Sequence, residues 1–354
     1  MPRMRVLKGL LVAVMLAGTA VAGGATGAGA VETVRRPGFA SAPSLAQRWA
    51  PIHHQDVDAH GRHAAGGRAD EITRVDFDGN WDARDNWEHA GDFPAAAYAY
   101  ASVVETRTHW FLTYLFFHAR DWTNRPFFDS EHENDAEGVL LAVAKDGTPY
   151  GRLRAAVTVA HADFLSYVPD GSPWRGGGET VDGTLPMQRS TRDGLPHPVT
   201  EQEAHGHGLR AYRGRSGGVV YYPAPAAEVP RGPHDTDVGY ALIDIFAPGG
   251  LWDRRGDPAL FAAPGTFAGD APRSGRGACG HGTFRCTTNA AHAPWGWDDH
   301  DDRPGRGALG TDPAGVMAAY FTIPEPFARA YTLNPYAAPA GAPARTLLPA
   351  PANQ

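Results

Sequence analysis

The chain has 354 residues, of which 42% are hydrophobic and 10% aromatic; this supports a substantial buried core and excludes an intrinsically disordered protein. A formal net charge of −7 at pH 7, with no run of basic residues to follow a phosphate backbone, excludes nucleic acid as a partner. No apolar run reaches the roughly 20 residues of a membrane-spanning helix, so no transmembrane span is expected.

In chain order, Arg3, Arg5 and Lys8 form a positive region ahead of the apolar run from Gly9 to Val21, the pattern of a secretory signal peptide over residues 1–30. Small residues allow cleavage after Ala22 or Ala30, and the remainder is expected to be secreted and extracellular. Loss of those three cations shifts the net charge from −7 to −10. Residues 31–43 read as a linker containing Pro, Gly and Ser, residues 44–333 as one folded domain, and residues 334–354 as a disordered Pro/Ala-rich tail.

A short helix is expected over residues 44–49. The segment Asp76-Phe77-Asp78-Gly79-Asn80-Trp81-Asp82 fails the EF-hand pattern, with its Gly at the fourth position and no acid at the twelfth, and reads as a turn with Asx caps. A second helix is expected over residues 94–103. Strands follow over 109–118, 138–144, 154–161, 218–222 and 240–246, each short, rich in β-branched or aromatic residues and bounded by Gly, Pro, Asp or Asn. Cys279 and Cys286 read as a disulfide closing a short loop in an oxidising compartment; a zinc site using both thiolates with His281 or His292 would lack the usual two-residue cysteine spacing. Asp298, Asp299, Asp301 and Asp302 read as a solvated acidic loop or a second cation site, and residues 313–320 as a third helix. No helix-period segment of comparable quality separates the strands. The expected fold class is therefore all-β, an antiparallel β-sandwich in a single domain.

Chemistry concentrates between His118 and Glu137. If the chain there is extended, Glu133, Asp135 and Glu137 project to one face with neighbours roughly 6.5 to 7 Å apart. His132 has the opposite parity and joins them only if the chain bends just before the strand, whereas Asp121 approaches from the end of the preceding strand. Like charges sharing a face repel unless solvated or bridged by a cation, so the segment is either an acidic surface loop or a site for a hard ion, Ca²⁺ or Mg²⁺. The candidate ligands are Asp121, His132, Asp135 and Glu137. His161 ends a strand, and His205 and His207 sit in the turn Ala204-His205-Gly206-His207-Gly208; these three are the candidate general bases beside an ion-activated water.

The spacing His132-x-x-Asp135-x-Glu137, preceded by Asp121 after the aromatic run, resembles the metal-binding motif of the necrosis- and ethylene-inducing peptide-like proteins, a family of secreted cytolysins. Their Gly-His-Arg-His-Asp-Trp-Glu heptapeptide corresponds here to Glu131-His132-Glu133-Asn134-Asp135-Ala136-Glu137, in which the three implied ligand positions match. The segment is also similar to vacuolar-protein-sorting-related proteins, through Leu45-Ala46-Gln47-Arg48-Trp49-Ala50-Pro51 and the later His-Gly phrase. The resemblance implies a β-sandwich with a Ca²⁺ or Mg²⁺ site near one edge and, for the cytolysins, recognition of glycosylated lipid headgroups. Two functions stay open: a module that binds a glycan or lipid headgroup through the ion, or a metal-dependent hydrolase of phosphoesters or glycans.

Overall fold

The computed structural model describes residues 42–124, 131–214, 217–269, 291–300 and 304–337. The signal peptide, nearly all of the linker, Cys279, Cys286, Asp301 and Asp302 lie outside the described residues. The chain opens with helix α1 (Ala42–Trp49) and strand β1 (Ile52–Gln55), then α2 (Asn86–His89). A run of strands follows: β2 (Tyr98–Thr106), β3 (His109–Asp121), β4 (His132–Ala144), β5 (Arg152–Ala160) and β6 (Asp163–Pro169). Shorter strands come next: β7 (Arg175–Gly176), β8 (Gly183–Leu185), β9 (Met187–Arg189), β10 (Pro196–Gln202), β11 (Leu209–Ala211), β12 (Val219–Pro223), β13 (Val238–Asp244), β14 (Phe261–Ala263) and β15 (Thr266–Phe267). Helices α3 (Ala308–Thr311) and α4 (Pro313–Tyr320) and strands β16 (Phe321–Thr322) and β17 (Tyr331–Leu333) complete it.

One 13-stranded sheet runs in the order β11-β10-β1-β12-β13-β2-β3-β4-β5-β6-β8, with β17 beside β2 and β9 beside β10. Its end strands β11 and β8 approach each other, so the sheet curls nearly into a barrel. The chain is mostly β with few short helices, as expected, but the purely antiparallel sandwich is corrected. Four pairings are parallel, β1 with β10, β12 with β13, β13 with β2 and β6 with β8, because long connections bring distant segments side by side.

Alternate side chains of the central strands serve two cores. Trp110, Leu112, Tyr114 and Phe116 of β3 fill the barrel interior with Val139, Leu141 and Val143 of β4. Phe111, Leu115 and Phe117 face outward with Ala136, Leu140 and Ala142, into a second core closed by Phe246, Trp297 and Tyr320. Burial on both faces is why the 109–117 stretch is apolar at nearly every position rather than alternating, with only His109 and Thr113 polar. Trp297 lies directly on β4: a Cβ on Gly138 would come within 2.5 Å of its ring and 2.1 Å of the Tyr114 carbonyl oxygen, so only glycine fits.

The helix expected over 94–103 is also corrected. Ala95 to Ala101 suggested helix propensity, yet Tyr98–Thr106 is a strand between β13 and β3, where tertiary pairing outweighs the modest preference of alanine. The helix over 313–320 forms as expected, with Pro313 in its first turn and the Asp312 carboxylate accepting from Gly315 N. Pro335 and Tyr336, which fall within the expected tail, are buried, and the Tyr336 hydroxyl is 3.0 Å from Ser102 Oγ; the rest of that segment lies outside the described residues.

Candidate functional site

The cavity forms where β3 and β4 run beyond the barrel interior. The strands pair Asp121 with His132, His118 with Asp135 and Phe116 with Glu137, so the acidic segment is extended and not a surface loop. Alternation alone would put His132 on the face opposite Asp135. Asn134, at φ 60°, breaks it. Asparagine tolerates this left-handed conformation better than most residues, and its buried amide locks the kink: Nδ2 donates to the Ala83 and Ala268 carbonyls, each at 2.8 Å, and Oδ1 accepts from Asn86 Nδ2 at 2.7 Å. The reversal turns Glu133 aside to accept from Trp87 N at 2.9 Å and swings His132 toward Asp121.

Asp121, His132, Asp135 and Glu137 thus line one cavity of about 200 Å³, with His161 on one wall and Trp297, Asp298 and His300 on another. Glu137 Oε1 accepts from His161 N at 2.6 Å and the Leu209 backbone N–H also faces the carboxyl, while its Oε2 is buried with no partner at hydrogen-bond geometry. His132 donates from Nδ1 to the Asn134 carbonyl at 2.8 Å and places Nε2 3.2 Å from Asp121 Oδ2. A backbone carbonyl on one ring nitrogen is what fixes the other toward a metal ion. Among the described residues five non-glycines have positive φ, and four of them, Asn134, His161, His205 and His207, surround this cavity or stand behind it. Strained backbone tends to collect at functional sites.

The charges are out of balance. Burial, reinforced by Asp135, pushes the Glu137 carboxyl well above the ordinary range. Burial raises Asp121 as well, partly countered by His132. Burial opposes the charge on His132, yet the Asp121 carboxylate outweighs it and holds the imidazole up at about 9. His292, also on the wall, is driven down to about 4 by burial and by Arg306. Three carboxylates around one imidazole suit a divalent ion that retains waters. No three of Asp121, His132, Asp135 and Glu137 bring ligand atoms within 4.8 Å of one another; an ion there would span the cavity with water completing its shell.

The chain is similar to solved structures of necrosis- and ethylene-inducing proteins. A structure described as a toxin fold for microbial attack and plant defense shares 15% identity over 64% of this chain and 83% of that chain, with a TM-score of 0.33. The necrosis and ethylene inducing protein 2 from the causal agent of cocoa's witches' broom disease shares 16% over 56% and 77%, at 0.28. NLPPya in complex with glucosamine shares 17% over 59% and 75%, at 0.30. No protein-family model and no curated protein matches, and no finding supports the vacuolar-sorting resemblance.

The three histidines expected to act as bases occupy different positions. His161 lines the cavity with its side chain half exposed, and its Nε2 pairs with Glu203 Oε1 at 2.9 Å, a hydrogen bond that raises its pKa. His205 turns away to Asp58 Oδ2 at 3.1 Å and sets its ring edge-on to Trp122. His207 is fully buried behind Asp135. Asp70, Glu203 and His300 are tied to the motif by no local spacing and carry no signal in the sequence, and His292, which could be considered there only as a partner of Cys279 and Cys286, lines the cavity instead. Of the acidic run read as a solvated loop or a second cation site, Asp299 is buried and accepts from Phe164 N at 3.3 Å, which does not fit the solvated loop.

A separate group forms in the segment expected to be an Asx-capped turn. The turns are present: Asn80 N donates to Asp78 Oδ1 at 3.0 Å and Asp82 N to Asn80 Oδ1 at 2.6 Å. Among the described residues, only Asp78, Asp85 and His89 place ligand atoms all within 4.8 Å, so this group could hold a metal ion. The four-residue spacing of Asp85 and His89 across one helical turn was the available signal.

Proposed function

We propose that the chain is an exported protein whose cavity binds Ca²⁺ or Mg²⁺ through Asp121, His132, Asp135 and Glu137 and, through that ion, a glycan or lipid headgroup. The observation that carries this reading is the buried, unpartnered Glu137 Oε2 in a cavity that also holds Asp121 and Asp135. A buried carboxylate oxygen with nothing to accept from is costly, and a bound cation removes the cost. Once held, the ion would offer its remaining positions to hydroxyl or anionic oxygens of the ligand, while His161 and His300 on the walls supply hydrogen bonds that orient it. The described residues include no helix long and apolar enough to cross a membrane.

A second reading, a metal-dependent hydrolase, draws on His161, whose side chain is half exposed at the cavity and could move a proton. Incubating the protein with labelled liposomes and glycans, and separately with phosphoester and glycoside substrates, each with and without chelator, separates the two. Chelator-sensitive association without turnover is expected; chelator-sensitive turnover would replace binding by hydrolysis, and cation-independent behaviour in every arm would remove the site.

A further inference from the structure

His207 and Asp70 are both 0% exposed. The ring of His207 is clamped from three sides. Nδ1 lies 3.0 Å from Asp135 Oδ2, Nε2 lies 3.1 Å from Asp70 Oδ1, and one face stacks on His118 with centroids 3.8 Å apart and planes 1° from parallel. Carboxylate oxygens only accept, so both ring nitrogens donate. Asp70 is itself fixed, taking hydrogen bonds from Trp122 Nε1 at 2.7 Å, His205 N at 2.9 Å and Asp58 N at 2.8 Å. No surface of His207 is left for a substrate. A role as general base, expected from its place in a Gly-rich turn, does not fit a ring enclosed in this way.

We propose instead that His207, braced by Asp70, is a positioning residue that orients Asp135 for the cation. The proposal rests on the cation reading of the cavity and adds to it a buried carboxylate–imidazole–carboxylate bridge. Asp135 Oδ1 accepts from Ala136 N at 2.8 Å and Oδ2 from His207, so two donors on opposite oxygens fix the plane of the carboxylate and leave its remaining lone pairs to the cavity. Partners behind a ligating group commonly contribute about 10- to 100-fold to metal affinity. The local sequence explains how a histidine reaches this depth. His207 takes φ 54° between Gly206 and Gly208, and a Cβ on either glycine would meet His161, at 2.9 Å and 3.0 Å respectively. The turn can therefore press against the cavity wall while driving one side chain inward.

The test uses the whole protein titrated calorimetrically with Ca²⁺ alone and with Mg²⁺ alone. Asp70→Asn and His207→Gln should each weaken cation binding about 10- to 100-fold. The double variant should be no weaker than the worse single one, because the two residues act in series. Val103→Ala, in the interior core but away from the bridge, should lower Tm and leave cation affinity unchanged, which separates positioning from general loss of stability. Wild-type binding that Asp70→Asn and His207→Gln leave unchanged overturns the bridge alone, as do losses in the two variants that simply add. Absence of cation binding to the wild type overturns the cavity reading and the bridge with it.

Discussion

Replacing Glu137 by Gln exchanges an ionisable carboxyl for an amide that cannot become an anionic ligand. Gln keeps a carbonyl oxygen to accept from His161 N, now at 2.6 Å, and puts an amide where the unpartnered Oε2 stands. Without an ion, the variant should be at least as stable as the wild type, because burial already disfavours the charged form of this carboxyl and the amide carries no charge to desolvate. With an ion the order should invert. Cation at a hundred times Kd stabilises the wild type by about 2.7 kcal/mol, roughly 5 °C in Tm for a domain of this size, and the variant not at all. Differential scanning calorimetry with and without Ca²⁺ or Mg²⁺ reads both effects. An apo variant that melts below the apo wild type, or one that still shifts by several degrees with cation, would refute the claim that Glu137 faces an ion.

Asn134→Ala leaves two buried carbonyls, those of Ala83 and Ala268, without their donor and keeps a positive φ that alanine resists; the expected loss is about 3 to 5 kcal/mol in urea unfolding, of which Asn134→Gly recovers only about 1 kcal/mol. Gly208→Ala would set a Cβ 3.0 Å from His161 Nε2 and 3.1 Å from Glu203 Oε1, displacing that pair at a cost of about 1 to 2 kcal/mol; unchanged stability would mean that the turn stands off the wall. His53 is buried, stacked on Phe116 and hydrogen-bonded to Thr200, and burial depresses it to about 3. Because the unfolded imidazole titrates near 6.5, it takes up protons first as pH falls, and this group alone should remove about 2 kcal/mol of stability between pH 8 and pH 5. His53→Gln should flatten that part of the pH profile, and an unaltered profile would show that His53 is not the titrating group.

Much of the fold was legible because strand signals are local. The apolar run at 109–117 and the β-branched segments near 140, 156, 220 and 242 specify strands whatever surrounds them, and Asp312-Pro313 marks a helix start by its own capping chemistry. Which strands pair is not local. The parallel neighbours β13 and β2 are more than a hundred residues apart in sequence, and residues 94–103 chose strand over helix only because an edge was waiting on either side.

The site divides in the same way. The clustering of His132, Asp135 and Glu137 is a matter of spacing, and the sequence alone supplied those residues, together with Asp121 as the cross-strand candidate. Whether His132 shares a face with the acids depended on one left-handed residue, Asn134, stabilised by contacts to positions 83, 86 and 268 that no nearby residue announces. The three histidines look alike in sequence, one in a strand end and two in a glycine turn. Tertiary packing gave them different surroundings, one at the cavity, one turned to Asp58 and one sealed between two carboxylates, because burial and partners, not residue type, decide what an imidazole can do.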